Sequence, residues 1–191
     1  MTSTPISKQL TNAAGLHHAA ELMRFLESFN GGAFVPYFAI CLFAGIRPCF
    51  RQGEMSRLPV ESIILDTRTI HVEPWVSKVK TKRTVTIQPN LAAWLNAYPL
   101  DRFPLLPANV EDGHRAIFAK FDLEQEILRH TFISMFVGKF RSVGEAALQA
   151  GNSEAVIRRF YLDIKTQVEA EGFFGILPRL RPATVMDDRR N

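Results

Sequence analysis

The sequence predicts a mainly α-helical chain carrying one small three-stranded antiparallel sheet, an α+β domain. Three observations carry that expectation. Apolar residues recur at helical spacing over most of the chain, and one stretch, Ala33–Ala44, is apolar almost all round. Three short segments rich in Ile, Val and Thr fall together between Ser62 and Ile87. With 191 residues, 47% hydrophobic and 22% charged, the chain suits one ordinary globular domain and excludes a disordered, collagenous or coiled-coil protein. No apolar run reaches the roughly 18 residues of a membrane span, and no basic segment precedes an apolar one at the N-terminus. Cys41 and Cys49 offer no disulfide framework, and no Cys/His spacing suits zinc, so no metal is expected and a reducing, cytoplasmic setting fits.

Residues 1–15 are small and polar and read as a flexible leader or linker stub. Leu16, Ala19, Ala20, Met23, Leu26 and Phe29 then form one helical stripe, which Asn30-Gly31-Gly32 stops. The segment Ala33–Ala44 predicts a central buried helix, with Arg47 just beyond its end. A short helix over Gly53–Leu58 breaks at Pro59. Strands follow at Ser62–Leu65, Ile70–Val72 and Thr84–Ile87, the first pair joined by a turn at Asp66–Thr69. Leu91, Trp94, Leu95 and Tyr98 mark another helix, and a proline-punctuated loop runs from Pro99 to Pro107. The remainder reads as helices over His114–Phe121, Leu123–Phe140, Val143–Ala150, Ser153–Leu162 and Thr166–Phe174. Gly151 takes the C′ position of the third, and Thr166 with Glu169 forms a capping box on the last. The domain is expected to span 16–177, with 178–191 a mobile tail.

A net charge of +4 argues only weakly for a nucleic-acid partner, but its distribution argues more. Between Arg47 and Arg83 lie eight Lys/Arg against four acids, and Lys78, Lys80, Lys82 and Arg83 crowd into the connection before the third strand. Further along come Arg129-His130-Thr131-Phe132, the turn Gly151-Asn152-Ser153, and Tyr161. Taken singly, Arg47 is an ordinary helix-end charge, Arg129 a helical partner for Glu126, and Tyr161 a core aromatic. Their joint order and spacing carry the signal.

In that order and spacing the chain resembles the tyrosine recombinase, or phage integrase, family from about Leu16 to Gly175. The first family box is matched by Phe43-Ala44-Gly45-Ile46-Arg47 with Gly53-Glu54-Met55-Ser56-Arg57-Leu58. The second resembles Glu126-Ile127-Leu128-Arg129-His130-Thr131-Phe132, and the third Ala150-Gly151-Asn152-Ser153 followed by Tyr161. The resemblance implies the catalytic-domain fold of DNA breaking-rejoining enzymes. It also implies a reaction in which Tyr161 attacks a DNA phosphodiester, forms a 3′-phosphotyrosine and releases a 5′-hydroxyl for rejoining, with no cofactor required.

In that scheme Arg47 and Arg129 grip the non-bridging oxygens as charge builds in the transition state. A hairpin lysine protonates the leaving oxygen; spacing to Arg83 favours Lys78, with Lys80 and Lys82 open. Arg51, Lys80, Lys82, Arg83 and His130 are expected to contact double-stranded DNA. Three departures stand out. Glu126 stands where the family usually has a histidine or another cationic or neutral donor, and either holds Arg129 or acts as base for the Tyr161 hydroxyl. Asn152 replaces a histidine or tryptophan, keeping a donor but no transferable proton. Pro48–Gln52 lengthens the gap after Arg47.

The resemblance further implies a homotetramer on DNA and a separate N-terminal clamping domain ahead of residue 16. The apolar segment Glu169–Leu177 is expected either to be exchanged between neighbours or to pack back on its own domain. Two alternatives belong to other functional classes: a catalytically impaired DNA-binding relative, motivated by Glu126 and Asn152, and an unrelated helical interaction domain.

Overall fold

A computed structural model describes residues 15–48, 51–160 and 165–179. The expected leader and most of the expected tail lie outside the described residues, as does Tyr161. Helix α1, Leu16–Ser28, buries Ala19, Leu22, Met23 and Leu26 on the stripe the sequence spacing predicts. Asn30, Gly31 and Gly32 end it with three successive positive φ angles of 47, 64 and 90°. Helix α2, Val35–Ala44, follows with every residue buried. Its large side chains each contribute about 1.5–3 kcal/mol by leaving water, which makes this helix the axis of the core. Helices α1, α4 (Pro89–Ala97) and α6 (Ile127–Phe140) pack around it.

One turn of helix, α3 (Glu54–Arg57), leads through Pro59 into the sheet. Strands β1 (Ile63–Ile64), β2 (Thr69–Val72) and β3 (Arg83–Thr86) form an antiparallel meander in sequence order. In register, Ile70 faces Val85 and Val72 faces Arg83. The buried face of β3 therefore carries Arg83 and Val85, while Thr84 and Thr86 point to solvent.

Among the described residues, the regular elements of the C-terminal half are all helices. Helix α5 spans Val110–Lys120, starting earlier than the expected His114 because Asn109 turns the chain at φ 58°. The single long helix expected from Leu123 starts only at Ile127, because Glu126 adopts a left-handed φ of 72°. Helix α7 (Val143–Ala150) is capped by the Ser142 hydroxyl, which accepts from the Glu145 amide at 3.1 Å, and it packs on β3. Helices α8 (Glu154–Phe160) and α9 (Gln167–Phe174) are the last of the described helices, and α9 opens on the Thr166–Glu169 capping box expected from the sequence.

The segment open to exchange between neighbours packs back on its own domain. Ala170, Phe173 and Phe174 of α9 are buried, Phe173 meets Phe43 of α2 with centroids 5.1 Å apart, and the Trp94 indole donates to the Ile176 carbonyl at 2.9 Å. Among the described residues, no helix is long and apolar enough to cross a membrane.

Candidate active site

The site grows from the C-terminal end of α2. Gly45 closes that helix at φ 64°, a backbone that a side chain disfavours, and a Cβ there would lie 2.4 Å from the Phe132 ring. This close approach brings the Gly45 carbonyl to α6, where it accepts from Arg129 Nη1 at 2.7 Å. Two residues further on, Arg47 leaves the core with its side chain 15% exposed.

Arg129 is the larger anchor and is 1% exposed. Besides Gly45, its guanidinium donates through Nη2 to the Ala150 carbonyl and, at 3.1 Å, to Asn152 Oδ1. One side chain thus ties the ends of α2 and α7 to the start of α6. Burial, then the nearby Arg47 charge, lowers its pKa to about 10, so it stays cationic at neutral pH. Accepting from Arg129 commits the oxygen of Asn152 and points its amide donor elsewhere.

Two carboxylates organise the guanidinium groups. Glu54, at the start of α3, is fully buried. It accepts from Arg83 Nη1 at 3.1 Å and Nη2 at 2.7 Å, and from Arg47 through Nη1 and the backbone amide, both at 3.2 Å. Burial pushes the Glu54 carboxyl up, but hydrogen bonds from Arg83 and the charges of Arg83, Arg129 and Arg47 outweigh it and hold it below the usual carboxylate range. Glu126 is the second carboxylate, 30% exposed, with Oε2 at 3.3 Å from Arg47 Nε and 3.8 Å from Arg129 Nε. Three guanidinium groups against two carboxylates leave the cluster one net positive charge, facing solvent on the Glu126 side.

Sequence expectation and structure part at several residues. Arg83, expected on a DNA-facing hairpin, is turned inward instead: it is 9% exposed, paired with Glu54, and donates through Nε to the Gln149 carbonyl at 3.2 Å. The signal was present in the sequence, because strand alternation puts Arg83 on the face of Val85 and Ile87. Glu54 was no more than the acid of a motif, yet it is the hub of the cluster. Gln149, which no motif marks in the sequence, also belongs to the site. Its amide accepts from the Thr86 backbone at 2.7 Å and donates to the Thr86 hydroxyl at 3.1 Å, fastening α7 to β3 beside the site.

Of the other expected residues, Arg51 is exposed and forms a forked pair with Glu111 at 2.8 and 3.0 Å, which places it on the α5 side. His130 is partly buried, and burial lowers its pKa, so the ring is neutral at neutral pH. Lys78, Lys80 and Lys82 are all exposed. Lys82 pairs with Glu73 at 2.9 Å and lines a cavity of about 490 Å3 that also holds Arg83, Gly151 and Asn152. Lys78 and Lys80 line a different cavity, with Arg57 and Trp75. The structure therefore gathers Arg47, Glu126, Arg129 and Asn152, while Lys82 shares a cavity with Asn152 and Lys78 lines another. Tyr161, the expected nucleophile, lies outside the described residues, immediately after α8.

The class these features define is a mainly α domain with a small antiparallel sheet, in which helix ends hold a buried arginine cluster. Comparison with known proteins narrows this. No family model matches the sequence, and no curated protein matches it. Among solved structures, the crystal structure of XerA recombinase is similar over 86% of this chain, with a TM-score of 0.59 at 19% identity. The chain spans 64% of the length of that XerA chain. The fold is accordingly recombinase-like.

Proposed function

We propose that this chain is the catalytic domain of a tyrosine recombinase that cuts and rejoins duplex DNA through a 3′-phosphotyrosine on Tyr161. The observation that carries the reading is the convergence of Arg47, Arg129 and Asn152, far apart in sequence, on one edge of a recombinase-like fold. A phosphoryl-transfer transition state gathers charge on its non-bridging oxygens. Guanidinium groups already held by protein partners stabilise that charge without reorganising at the moment of reaction. Arg47, the more exposed of the two, reaches toward the phosphate, and Arg129 holds the frame and adds its charge.

In the chemical step, the Tyr161 hydroxyl gives its proton to solvent water as its oxygen attacks phosphorus. The bond from phosphorus to the 5′-oxygen breaks, and that oxygen takes a proton from a hairpin lysine. Lys82 is read as the donor in preference to Lys78, because it shares a cavity with Asn152. The phosphodiester energy is kept in the protein–DNA bond, and attack by a 5′-hydroxyl reverses the step. Duplex DNA is the partner. Assembly into a tetramer and an N-terminal clamping domain extend the same reading.

The test is a nicked suicide duplex whose released 5′ fragment diffuses away. The expected result is a covalent protein–DNA adduct, absent in Tyr161→Phe. A second reading, DNA binding without cleavage, is favoured by one observation: the Glu126 carboxylate lies across the guanidinium groups. It predicts salt-sensitive binding with no adduct from either protein.

A further inference from the structure

The two carboxylates of the arginine cluster differ in kind. Glu54 is fully buried and answers Arg83 with both oxygens, so it belongs to the frame. Glu126 uses one oxygen, reaches Arg47 Nε at 3.3 Å and Arg129 Nε at 3.8 Å, and keeps 30% of its side chain in solvent. Charge-assisted N–H···O contacts close at about 2.7–2.9 Å, so both Glu126 contacts are long. The residue also stands at the junction before α6, in a left-handed backbone at φ 72° that a non-glycine residue adopts only when its surroundings reward it. There its carboxylate meets the pair of guanidinium groups.

An oxygen anion lying between Arg47 and Arg129, open to solvent on its far side, has the charge and the position of a bound oxyanion. We infer that Glu126 is a built-in competitor: its carboxylate fills the seat of a tetrahedral oxyanion, and a DNA phosphate must displace it to reach Arg47 and Arg129. Displacement is feasible for Glu126 and not for Glu54, because only Glu126 has solvent to enter and no bidentate partner to abandon. Glu126 thereby sets how tightly, and at what salt concentration, the site accepts phosphate. The phosphate being that of DNA rests on the function proposed above; the competition itself is a property of the cluster.

The experiment uses the full chain with Glu126→Gln, which keeps size and removes charge. Glu126→Gly is a second variant that also relieves the positive φ and guards against misfolding. Glu124→Gln is the control for generic loss of a negative charge, since Glu124 is exposed nearby. Sulfate is titrated while the Nε–Hε signals of Arg47 and Arg129 are followed by NMR. Duplex affinity is then measured against salt. Both Glu126 variants are expected to show sulfate midpoints about tenfold lower than wild type. Their DNA affinity is expected to rise, with a log–log salt slope steeper by about one phosphate contact.

Midpoints that stay put or move upward in both variants would overturn the inference, and so would a Glu124→Gln shift of equal size. If Glu126 only braces the arginines, its removal loosens them and weakens anion binding, the opposite sign. Should sulfate respond as expected while no protein binds DNA, the competitor role stands and the proposed function fails.

Discussion

The arginine cluster and the lysine hairpin carry charge of the same sign and are built in opposite ways. Arg129 is 1% exposed and bonded to the ends of two helices, and Arg83 is locked to a buried carboxylate. The side chains of Lys78, Lys80 and Lys82 stand in solvent on a connection whose backbone reaches a left-handed φ of 54° at Lys80. The contrast follows from chemistry. A guanidinium that stabilises transition-state charge works best fixed in place, whereas a proton donor must approach a leaving oxygen, deliver, and withdraw. On the proposed function, arginines fixed at helix ends and a lysine on an exposed hairpin would divide those tasks.

The largest effects are expected at the buried frame. Glu54→Gln removes the counter-charge of a buried Arg83 and is expected to destabilise the fold by about 3–5 kcal/mol in chemical denaturation. Adding Arg83→Met to that variant should recover more than half of the loss, because the guanidinium left without its bidentate carboxylate is then gone. Two additive losses would mean that Glu54 and Arg83 are not the coupled pair described here.

At the hairpin the effect moves from stability to rate. Lys82→Ala is expected to leave the melting temperature unchanged and slow adduct formation by about 10²–10³-fold, while Lys78→Ala changes it only a few-fold. A substrate whose leaving group needs no proton should cleave equally with either protein. Equal slowing in both variants on the ordinary substrate would erase the distinction between the two cavities.

The smallest effect lies at the rim of the core. His114 stacks on Phe118 with centroids 3.9 Å apart, and burial lowers its pKa to about 4. The folded chain therefore keeps the ring neutral where the unfolded chain takes up a proton, at the ordinary value of 6.5. This contribution is fully present above pH 6.5 and is lost as the pH falls toward 4. With solvent screening of a partly buried ring, the loss amounts to about 1–2 kcal/mol. His114→Gln should flatten that limb of the stability profile. Glu54, held below the carboxylate range, adds a further loss at lower pH.

Much of this architecture is legible because its causes are local. The stripe of α1, the all-round apolarity of α2 and the Thr166–Glu169 box each act within a few residues, and each element forms close to where its pattern lies. The start of α6 is not legible that way. Its helical spacing runs back to Leu123, and what breaks it is the left-handed backbone of Glu126. That conformation sets the Glu126 carboxylate against the guanidinium groups of Arg47 and Arg129, brought in from other parts of the chain. The turn of Arg83 toward Glu54 lies between these cases, readable from strand alternation and decided by a carboxylate 29 positions away.

The sequence by itself therefore determined the secondary elements, the three-stranded meander and which arginines and lysines were candidates for phosphate chemistry, because periodicity, caps and turn residues act over short range. The fold decided which partner each of those cations met. A buried charge must find an opposite charge or a carbonyl wherever the fold supplies one, and only the folded chain brought Glu54 to Arg83, Gly45 and Ala150 to Arg129, and Glu126 across the seat between them.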